Sequence, residues 1–384
     1  MKAMAGKPAG IYVHIPFCVR KCPYCDFYSV ADLSRIDSYV DALLHEMAFC
    51  EKPRVCPDTI YFGGGTPSIL SSTMIGRIID GAFRFFDMSD NVEVTLEVNP
   101  GTVDASRLSA FRDAGINRLI IGAQSFDDEK LNFLGRIHDG SEAKTAIREA
   151  GRAGFENIGI DLICGIPGRE AGDWEKELKT ALSFSLPHLS CYMLTIEPGT
   201  PLYSDMEDGR FSPVAENLAA DLFEVTMEVL DRAGYDHYEI SNFAKMPGFR
   251  SRHNCKYWTG APYVGLGASA HSHVKGERYW NVRSADRYIA RVSSGLSPVD
   301  GKERPDTDQQ MIEAVYLGLR AAEGIDSRAF ELRFGRACNE IFGREIATLS
   351  RHGLLESCDD NRICLTRQGK LKADAVAGRL IGCI

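Results

Sequence analysis

Six short apolar runs, each rich in β-branched residues, alternate with helical patterns along the first half of the chain. The clearest helical pattern runs from Ile36 to Met47, where apolar residues recur every three or four positions on one face. Because strands that alternate with helices favour parallel pairing, these units predict an α/β fold, an incomplete (β/α)6 barrel. Functional residues of such barrels gather at the carboxyl ends of the strands. The apolar runs are residues 11–15, 59–62, 92–98, 118–122, 158–163 and 189–194, and the other helical patterns are residues 72–85, 105–114, 141–153, 174–184 and 215–233.

The segment directly after the first run contains Cys18, Cys22 and Cys25, separated by three and then two residues. Thiolates so close on one loop can bind three corners of a 4Fe–4S cube, which leaves the fourth iron open to another ligand. A zinc site is the alternative, because cysteines spaced in this way also suit tetrahedral zinc. Zinc needs a fourth ligand, which His14 on the preceding run could supply. The triad therefore predicts a metal centre.

The pattern C-x3-C-x2-C after a strand resembles the radical S-adenosylmethionine (SAM) enzymes. In that family the amino and carboxylate groups of SAM chelate the open iron. One electron from the cluster then breaks a sulfonium–carbon bond of SAM and yields a 5′-deoxyadenosyl radical. The resemblance implies a 4Fe–4S cluster on the three cysteines, SAM as a second cofactor, an electron donor for the cluster and an incomplete radical-SAM barrel.

Composition narrows the class of protein further. With 384 residues, 44% of them hydrophobic, the chain can bury a large core and is expected to form more than one domain. Twelve cysteines without a signal peptide indicate a reducing compartment and no disulfide framework. No apolar run is long enough to span a bilayer, so we expect a cytoplasmic protein with no integral membrane segment. A net charge of −9 argues against a general nucleic-acid surface.

Glycines and polar residues stand at the ends of the predicted strands. Gly64 and its glycine neighbours end the second run, and Glu97, Gln124 and Asp161 end the next three, with Arg136 in a loop. Each alone is explained by an internal hydrogen bond or ion pair, but together they suit a zwitterionic, sulfonium-bearing ligand with a ribose. The chain resembles the oxygen-independent coproporphyrinogen dehydrogenases here, which implies a SAM site at Tyr12, Gly64, Glu97, Gln124, Arg136 and Asp161, with Tyr24, Gly65 and Thr66 close by.

A second motif begins at His253 and reads His-Asn-Cys-Lys-Tyr-Trp. It is similar to the H-N-x-x-Y-W motif of HemW-type proteins, where it is associated with haem. A histidine beside Tyr257 and Trp258 suits an axial iron ligand against a flat macrocycle. The alternative is a core histidine with two ordinary packing aromatics. The resemblance implies haem at His253, Tyr257 and Trp258, with His271 and His273 as second-choice ligands.

Two departures separate the chain from HemN-type coproporphyrinogen dehydrogenases and match the HemW-type branch. Phe27 stands where those enzymes have a fourth cysteine, and the first strand begins already at Ile11. The resemblance therefore implies a haem chaperone that binds a 4Fe–4S cluster, SAM and haem and delivers haem to an acceptor protein. Coproporphyrinogen dehydrogenation and a zinc-binding module are the alternatives. Whether SAM is cleaved and whether the protein forms a homodimer stay open.

The pattern changes after residue 296. Residues 297–306 are polar and contain two prolines, which indicates a linker. Three helical patterns, a predicted hairpin and a last helix follow, which is typical of a winged-helix-like domain, although its basic and acidic residues nearly balance and do not favour DNA. We expect a lid or partner surface over the barrel mouth, and incidental thiols at the remaining cysteines. The predicted domains are residues 1–235, 236–296 and 297–384.

Overall fold

The structure, a computed structural model, describes residues 8–49, 55–168, 170–359 and 361–384. Cys50, predicted to be an incidental thiol, and Asp360 of the predicted hairpin turn lie outside the described residues. The described residues form a mixed sheet of twelve strands and a second sheet of three. No helix among them is long and apolar enough to cross a membrane.

Six parallel strands form the centre of the large sheet, and helices cover its outer face. The strands are β1 (Ala9–Ile15), β2 (Pro57–Gly64), β3 (Glu93–Val98), β4 (Arg118–Gln124), β5 (Asn157–Cys164) and β6 (His188–Met193), and the helices are α1 (Ile36–Phe49), α2 (Ser72–Phe85), α3 (Ala105–Asp113), α4 (Asp128–Phe133), α5 (Gly140–Arg152) and α6 (Ala171–Leu182). Each strand pairs in parallel with the next, which confirms the predicted incomplete barrel. Ile60 and Phe62 of β2 are buried in the main apolar core. The alternate residues Thr59 and Tyr61 bond instead to polar partners inside the barrel.

Strands from the middle of the chain extend the sheet at both edges. These elements are α7 (Pro201–Glu207), α8 (Glu216–Arg232), β7 (Asp236–Glu239), β8 (Asn242–Ala244), α9 (Arg252–Trp258), β9 (Tyr263–Leu266), β10 (His271–Val274), β11 (Glu277–Asn281), α10 (Ala285–Ser293) and β12 (Val299–Glu303). β8 and β7 continue the sheet beyond β6, while β9 pairs in parallel with β1 and is followed by β10, β11 and β12.

The predicted linker at residues 297–306 is only partly irregular, because β12 occupies its centre. Lys302 and Glu303 of β12 pair with Tyr279 and Arg278 of β11 through the backbone. An edge strand with polar side chains is stabilised by its ladder hydrogen bonds, so it carries no apolar alternation for sequence reasoning to detect.

The carboxyl-terminal domain consists of α11 (Thr307–Arg320), β13 (Ile325–Asp326), α12 (Ser327–Phe334), α13 (Cys338–Arg351), β14 (Leu355–Asp359), β15 (Arg362–Leu365), α14 (Arg367–Lys370) and α15 (Ala373–Ile381). Its antiparallel sheet has the order β13-β15-β14. The domain has an apolar core of its own, to which Phe330, Phe342 and Leu349 contribute. Helices around a small hairpin agree with the predicted winged-helix-like architecture.

One pair of cysteines differs from the expectation of incidental thiols and no disulfides. Cys358 of β14 and Cys364 of β15 are joined by a disulfide, and their Cα atoms are 6.1 Å apart. Adjacent antiparallel strands bring such residues within bonding reach. The expectation of free thiols is wrong for this hairpin alone among the described cysteines, because the others, including Cys255, are free.

The carboxyl-terminal domain packs at the amino ends of the barrel strands, which is the end opposite the mouth. Helix α9 reaches those ends, since His253 lies within hydrogen-bond distance of Thr59 near the start of β2. Arg320 of α11 lies over the Trp258 ring of α9 at 5.5 Å. The backbones join where Ile240 N–H donates to the Arg320 carbonyl at 3.1 Å. The expectation of a lid over the barrel mouth therefore differs from the structure.

Candidate functional site

The cysteine loop follows the carboxyl end of β1 and is held by the glycine turn that follows β2. Gly65 N–H donates to the Ile15 carbonyl at 2.8 Å, and Thr66 N–H donates to the Phe17 carbonyl at 2.8 Å. A Cβ at Gly65 would lie 2.7 Å from the Phe17 carbonyl oxygen, so this approach requires glycine. These two backbone amides therefore fix the position of the cysteine loop.

The three cysteines fit a cluster better than a single ion. Cys18 is buried, Cys22 and Cys25 are half-buried, and all three are free thiols. Nearby donors reach two of the sulfurs: the Thr66 hydroxyl lies 3.5 Å from the Cys18 Sγ, and Arg136 Nη1 lies 3.6 Å from the Cys22 Sγ. Donors of this kind stabilise thiolates bound to iron.

Zinc would require four ligands around one ion. Over the described ranges, no three histidine, cysteine, aspartate or glutamate side chains come close enough together to hold one metal ion. Thiolates on a cubic cluster bind three different irons, so they do not need to converge on one point. His14 is also engaged, because its Nε2 lies 3.1 Å from the Tyr28 carbonyl and its Nδ1 lies 3.1 Å from the Tyr12 hydroxyl.

Beside the cysteine loop, a polar cleft of about 90 Å³ opens between the carboxyl ends of the strands. It is small compared with the roughly 300–1,000 Å³ of typical ligand sites, so it would enclose only the deepest part of a molecule such as SAM. Three buried polar atoms have no hydrogen-bond partner among the described residues: Gln124 Oε1, Asp161 Oδ1 and Arg136 Nε. Six of the predicted SAM residues line this cleft, namely Gly65, Thr66, Glu97, Gln124, Arg136 and Asp161.

The backbone at Gln124 is unusual in the same place. Its φ of 64° lies in the left-handed region, which residues other than glycine rarely adopt. The cost of such a conformation has to be offset by the surrounding structure, and residues of this kind cluster at binding sites. The turn directs β4 away from regular pairing with β5, since the register shifts between Ile121 and Gln124.

The two carboxyl groups of the cleft resist ionisation. Burial raises the pKa of Glu97 to about 7, a hydrogen bond from the Tyr61 hydroxyl at 2.8 Å opposes this rise, and the nearby Asp161 adds to it. Burial likewise raises the pKa of Asp161 to about 6, against a hydrogen bond with Ser190. A positively charged ligand in the cleft would restore both ionised forms, because opposite charges favour them. The cleft therefore suits a cation such as a sulfonium or an ammonium group.

The other three predicted SAM residues lie outside the cleft. The Tyr12 hydroxyl bonds to His14 within the barrel. Tyr24 lies on the cysteine loop, with its hydroxyl 3.5 Å from Arg136 Nη1. Gly64 has a φ of 112°, and a Cβ there would lie 2.6 Å from the His14 ring, so its glycine serves close packing. The amide of Gly64 also hydrogen-bonds to the Glu97 carboxylate, which links it indirectly to the cleft.

Sequence reasoning missed two polar residues of the barrel interior. Asn99 lines the cleft directly after β3, and its position at a strand end was the available signal. Arg118 is fully buried, and its guanidinium has no hydrogen-bond partner within the described part of the chain. The available signal was its position, because Arg118 is a charged residue at the first position of an apolar run. Arg118 and Asn99 are therefore two further polar groups of the barrel interior.

At the amino end of the barrel, His253 is fully engaged by the protein. It is 1% exposed. Its Nδ1 lies 2.9 Å from the Thr59 hydroxyl, and its Nε2 lies 3.0 Å from the Tyr257 hydroxyl. Its backbone N–H donates to Glu93 at 3.2 Å, and its ring stacks on Tyr61 with centroids 5.0 Å apart. Burial, with Lys256 nearby, lowers the pKa of His253 to about 3, so the ring is neutral.

The other two predicted haem residues, Tyr257 and Trp258, line a cavity of about 850 Å³ on the outer side of α9. His273 lines it as well, whereas His271 is exposed and stacks on Trp280 at 5.8 Å. The two predicted cofactor regions thus lie at opposite ends of the barrel. The cluster and SAM residues are at the carboxyl ends of the strands, and the haem motif is at their amino ends.

The barrel, the cysteine loop and the polar strand ends together define a radical-SAM protein. The family described as the Radical SAM superfamily matches residues 12–181, and the HemN C-terminal domain matches residues 306–371. The chain is 36% identical over 375 residues to heme chaperone HemW of Bacillus subtilis, covering 97% of this chain and 98% of that protein. It is 41% identical over 275 residues to heme chaperone HemW of Escherichia coli, covering 70% of each. The chain belongs to the HemW family of radical-SAM proteins.

Among solved structures, the chain is similar to coproporphyrinogen III oxidase (HemN) of Escherichia coli, with a TM-score of 0.82 and 21% sequence identity. The match covers 99% of this chain and 91% of that one, so the two share both the barrel and the carboxyl-terminal domain. At this identity the likeness shows the fold alone. Membership of the radical-SAM superfamily implies a 4Fe–4S cluster and SAM as cofactors.

Proposed function

We propose that this chain is a haem chaperone, which binds a 4Fe–4S cluster, SAM and haem and delivers haem to an acceptor protein. The observation that carries the proposal is the large cavity beside Tyr257 and Trp258, separate from the cluster region. The names of the similar HemW proteins support it. A cytoplasmic location and an electron donor for the cluster remain predictions of the same proposal, and a homodimer is compatible with it.

In this proposal Cys18, Cys22 and Cys25 hold the cluster. When bound, the cluster supplies one electron for the reductive cleavage of the sulfonium–carbon bond of SAM. Glu97 and Asp161 would accept the cationic groups of SAM, because both carboxyls are buried in one cleft. The amide oxygen of Gln124 faces the same cleft without a partner and would accept a hydrogen bond from the ligand.

Oxidation of coproporphyrinogen is the rival function, and the fold it shares with HemN is the observation in its favour. Its substrate would have to reach the mouth of the barrel, beside SAM. A cavity of about 850 Å³, large enough for a tetrapyrrole, lies at the other end, behind α9. Phe27 supports the chaperone as well, since it is 68% exposed where HemN-type enzymes have a fourth cysteine. A solvent-facing ring at that position has no part in ligating a cluster.

The test is anaerobic reconstitution of the full chain with iron and sulfide, followed by titration with haem. We expect a cluster absorption band, a Soret band that saturates with haem, and transfer of that haem to apomyoglobin as a probe acceptor. No decarboxylated product should form from coproporphyrinogen with SAM and a reductant. Product formation would establish the dehydrogenase instead, and a reconstituted protein that does not bind haem would overturn the proposal.

A further inference from the structure

The cavity behind α9 lies between the extended sheet and the carboxyl-terminal domain. Its volume of about 850 Å³ falls within the roughly 300–1,000 Å³ of small-molecule and cofactor sites. The lining combines large apolar and aromatic side chains with several charged ones, so it could hold a ligand that has both an apolar body and ionised groups. Its walls include Tyr257, Trp258 and His273 from the sheet side and Leu317, Phe330 and Phe334 from the carboxyl-terminal domain.

His273 presents the one imidazole among the described residues that line this cavity. It lies on β10, opposite Arg278 of β11 and Tyr263 of β9, and it is half-buried. Burial, together with Arg278, lowers the pKa of the ring. No side-chain hydrogen bond within 3.5 Å to either ring nitrogen occurs in the described part of the chain, so this imidazole is open to a ligand in the cavity. Neutral imidazole is the form of histidine that ligates metals.

The aromatic wall is arranged for a flat, extended ligand. Trp258 lies across the cavity wall, with the Arg320 guanidinium 5.5 Å from its ring. Its indole Nε1 is buried without a hydrogen-bond partner among the described residues. Tyr257 is held edge-on against Tyr263, with centroids 4.8 Å apart. Large aromatic faces of this kind pack well against a macrocycle.

The cavity also offers a cation that is not neutralised. Arg333 of α12 donates to the Gln310 side chain at 3.2 Å and lies over the Phe334 ring at 4.8 Å. It forms no ion pair with a carboxylate within the residues that the structure describes. Arg278, in contrast, is already paired with Glu303 and Glu313. Arg333 is therefore the guanidinium available for a carboxylate of the ligand.

We propose that haem occupies this interdomain cavity, with His273 as its iron ligand, Trp258 against the macrocycle and Arg333 at a propionate. The inference rests on the proposed function and names the site within it. His253 is then a positioning residue. Both of its ring nitrogens are engaged inside the barrel, and it acts on the cavity by holding the Tyr257 hydroxyl at 3.0 Å. Ligation by His253 would require it to break one of two buried hydrogen bonds.

The experiment is haem titration of the full chain, with absorption and electron paramagnetic resonance spectra of the bound haem. We expect His273→Ala to lose the histidine-ligated spectrum and to bind haem at least about tenfold more weakly, a difference of about 1.4 kcal/mol. Added imidazole should restore the spectrum of His273→Ala, because the cavity left by the ring admits it. His271→Ala is the matched control, since it removes an exposed histidine two residues away on the same strand, and it should behave as the unaltered protein.

Two results would overturn the inference while the proposed function stood. One is haem binding by His273→Ala with an unaltered spectrum and affinity. The other is loss of the histidine-ligated haem spectrum in His253→Ala while Tyr257→Phe keeps it. If His253 acts only by positioning Tyr257, the two variants should behave alike. A reconstituted, unaltered protein that binds no haem would instead remove the proposed function itself. The cluster absorption of each variant shows whether its fold is intact.

The contact with a propionate has a test of its own. Arg333→Gln should bind haem several-fold more weakly than the unaltered protein, and the loss should disappear with haem dimethyl ester, which has no free carboxylates. The same loss with both ligands would contradict the ion pair. Arg336→Gln, on the same segment but outside the lining of the cavity, is the control and should change neither affinity.

Discussion

The polar residues of the cleft and His253, which lie at opposite ends of the barrel, differ in how their polar atoms are satisfied. At the carboxyl ends of the strands, Gln124, Arg136 and Asp161 each keep a buried polar atom without a partner among the described residues. At the amino ends, both ring nitrogens of His253 and its backbone N–H have partners within 3.2 Å. Buried polar atoms are normally paired, so these atoms of the cleft are available to a ligand, whereas the ring of His253 is already engaged. Arg118, at the start of β4, is an exception at the amino end, because its buried guanidinium has no hydrogen-bond partner among the described residues.

The difference bears on the two separate sites that the sequence motifs predict. The strand ends present polar groups that are open to a ligand. The H-N-x-x-Y-W helix closes the barrel with His253 and turns Tyr257 and Trp258 outward into a cavity that the carboxyl-terminal domain completes. Changes at one end should therefore affect mainly one cofactor. The two ends are nevertheless in contact through the series from Glu97 through Tyr61 to the His253 ring.

The largest effect is expected from Cys22→Ala. Losing one of three thiolates should abolish the 4Fe–4S absorption and SAM binding, and haem binding at the other end should persist. Iron and acid-labile sulfide analysis with haem titration measures both. Cys56→Ala is the control, because Cys56 is an exposed free thiol away from the loop. Loss of haem binding in Cys22→Ala would show that the two ends are not independent.

An intermediate effect is expected from the buried carboxyls. Because the pKa of Glu97 is raised to about 7 from its ordinary 4.5, the folded state holds this proton more tightly than the unfolded state does. The stability it contributes is complete below about pH 4.5 and is lost as pH rises through about 7, by roughly 3 kcal/mol. Glu97→Gln should flatten the fall of the free energy of unfolding between pH 5 and pH 8, on the order of that amount.

Chemical unfolding of the protein without SAM at several pH values measures this dependence. Asp80→Asn is the control, since Asp80 is an exposed carboxylate on α2, and it should leave the dependence unaltered. SAM should bind more tightly at pH 8 than at pH 6, because its cationic groups need the ionised carboxyls. Tighter binding at the lower pH would contradict the assignment of Glu97 and Asp161.

The smallest effect is expected at the amino end. Thr59→Val removes the hydrogen bond to His253 Nδ1 and should cost about 1 kcal/mol of stability and a modest part of the haem affinity. Thr95→Val is a close control: Thr95 is fully buried on the adjacent strand, but its hydroxyl has no hydrogen-bond partner in the described structure. Removing that hydroxyl should be neutral or slightly stabilising. Equal costs in the two variants, measured by unfolding, would mean that the His253 contact contributes nothing.

Much of the fold could be predicted, because its strands repeat an apolar pattern. All six predicted central strands are present, and the apolar alternation along β2 places Ile60 and Phe62 in the core. Strand β12 could not be found in this way, since Val299–Glu303 is polar and is stabilised by backbone pairing with β11. The Cys358–Cys364 disulfide was missed for a similar reason, because it depends on how two strands meet.

The position of the cysteine loop after β1 was predictable from the sequence, and most of the cleft lining was predictable from the strand ends. Six of nine predicted SAM residues line one cleft, because parallel strands deliver their carboxyl ends to one side of a barrel. The haem motif was less predictable. Its residue types are compatible with ligation and with packing, and only the hydrogen bonds of His253 distinguish between them.

The sequence by itself determined the class of protein, since three cysteines on one loop and six strand–helix units are local patterns that need no partner to be recognised. The tertiary structure alone decided which imidazole faces open space. His253 and His273 are chemically equal in the sequence, but folding places one inside the barrel with two partners and the other on the wall of a cavity. Ligand availability depends on which polar atoms the fold has already satisfied, and that is a property of three-dimensional packing.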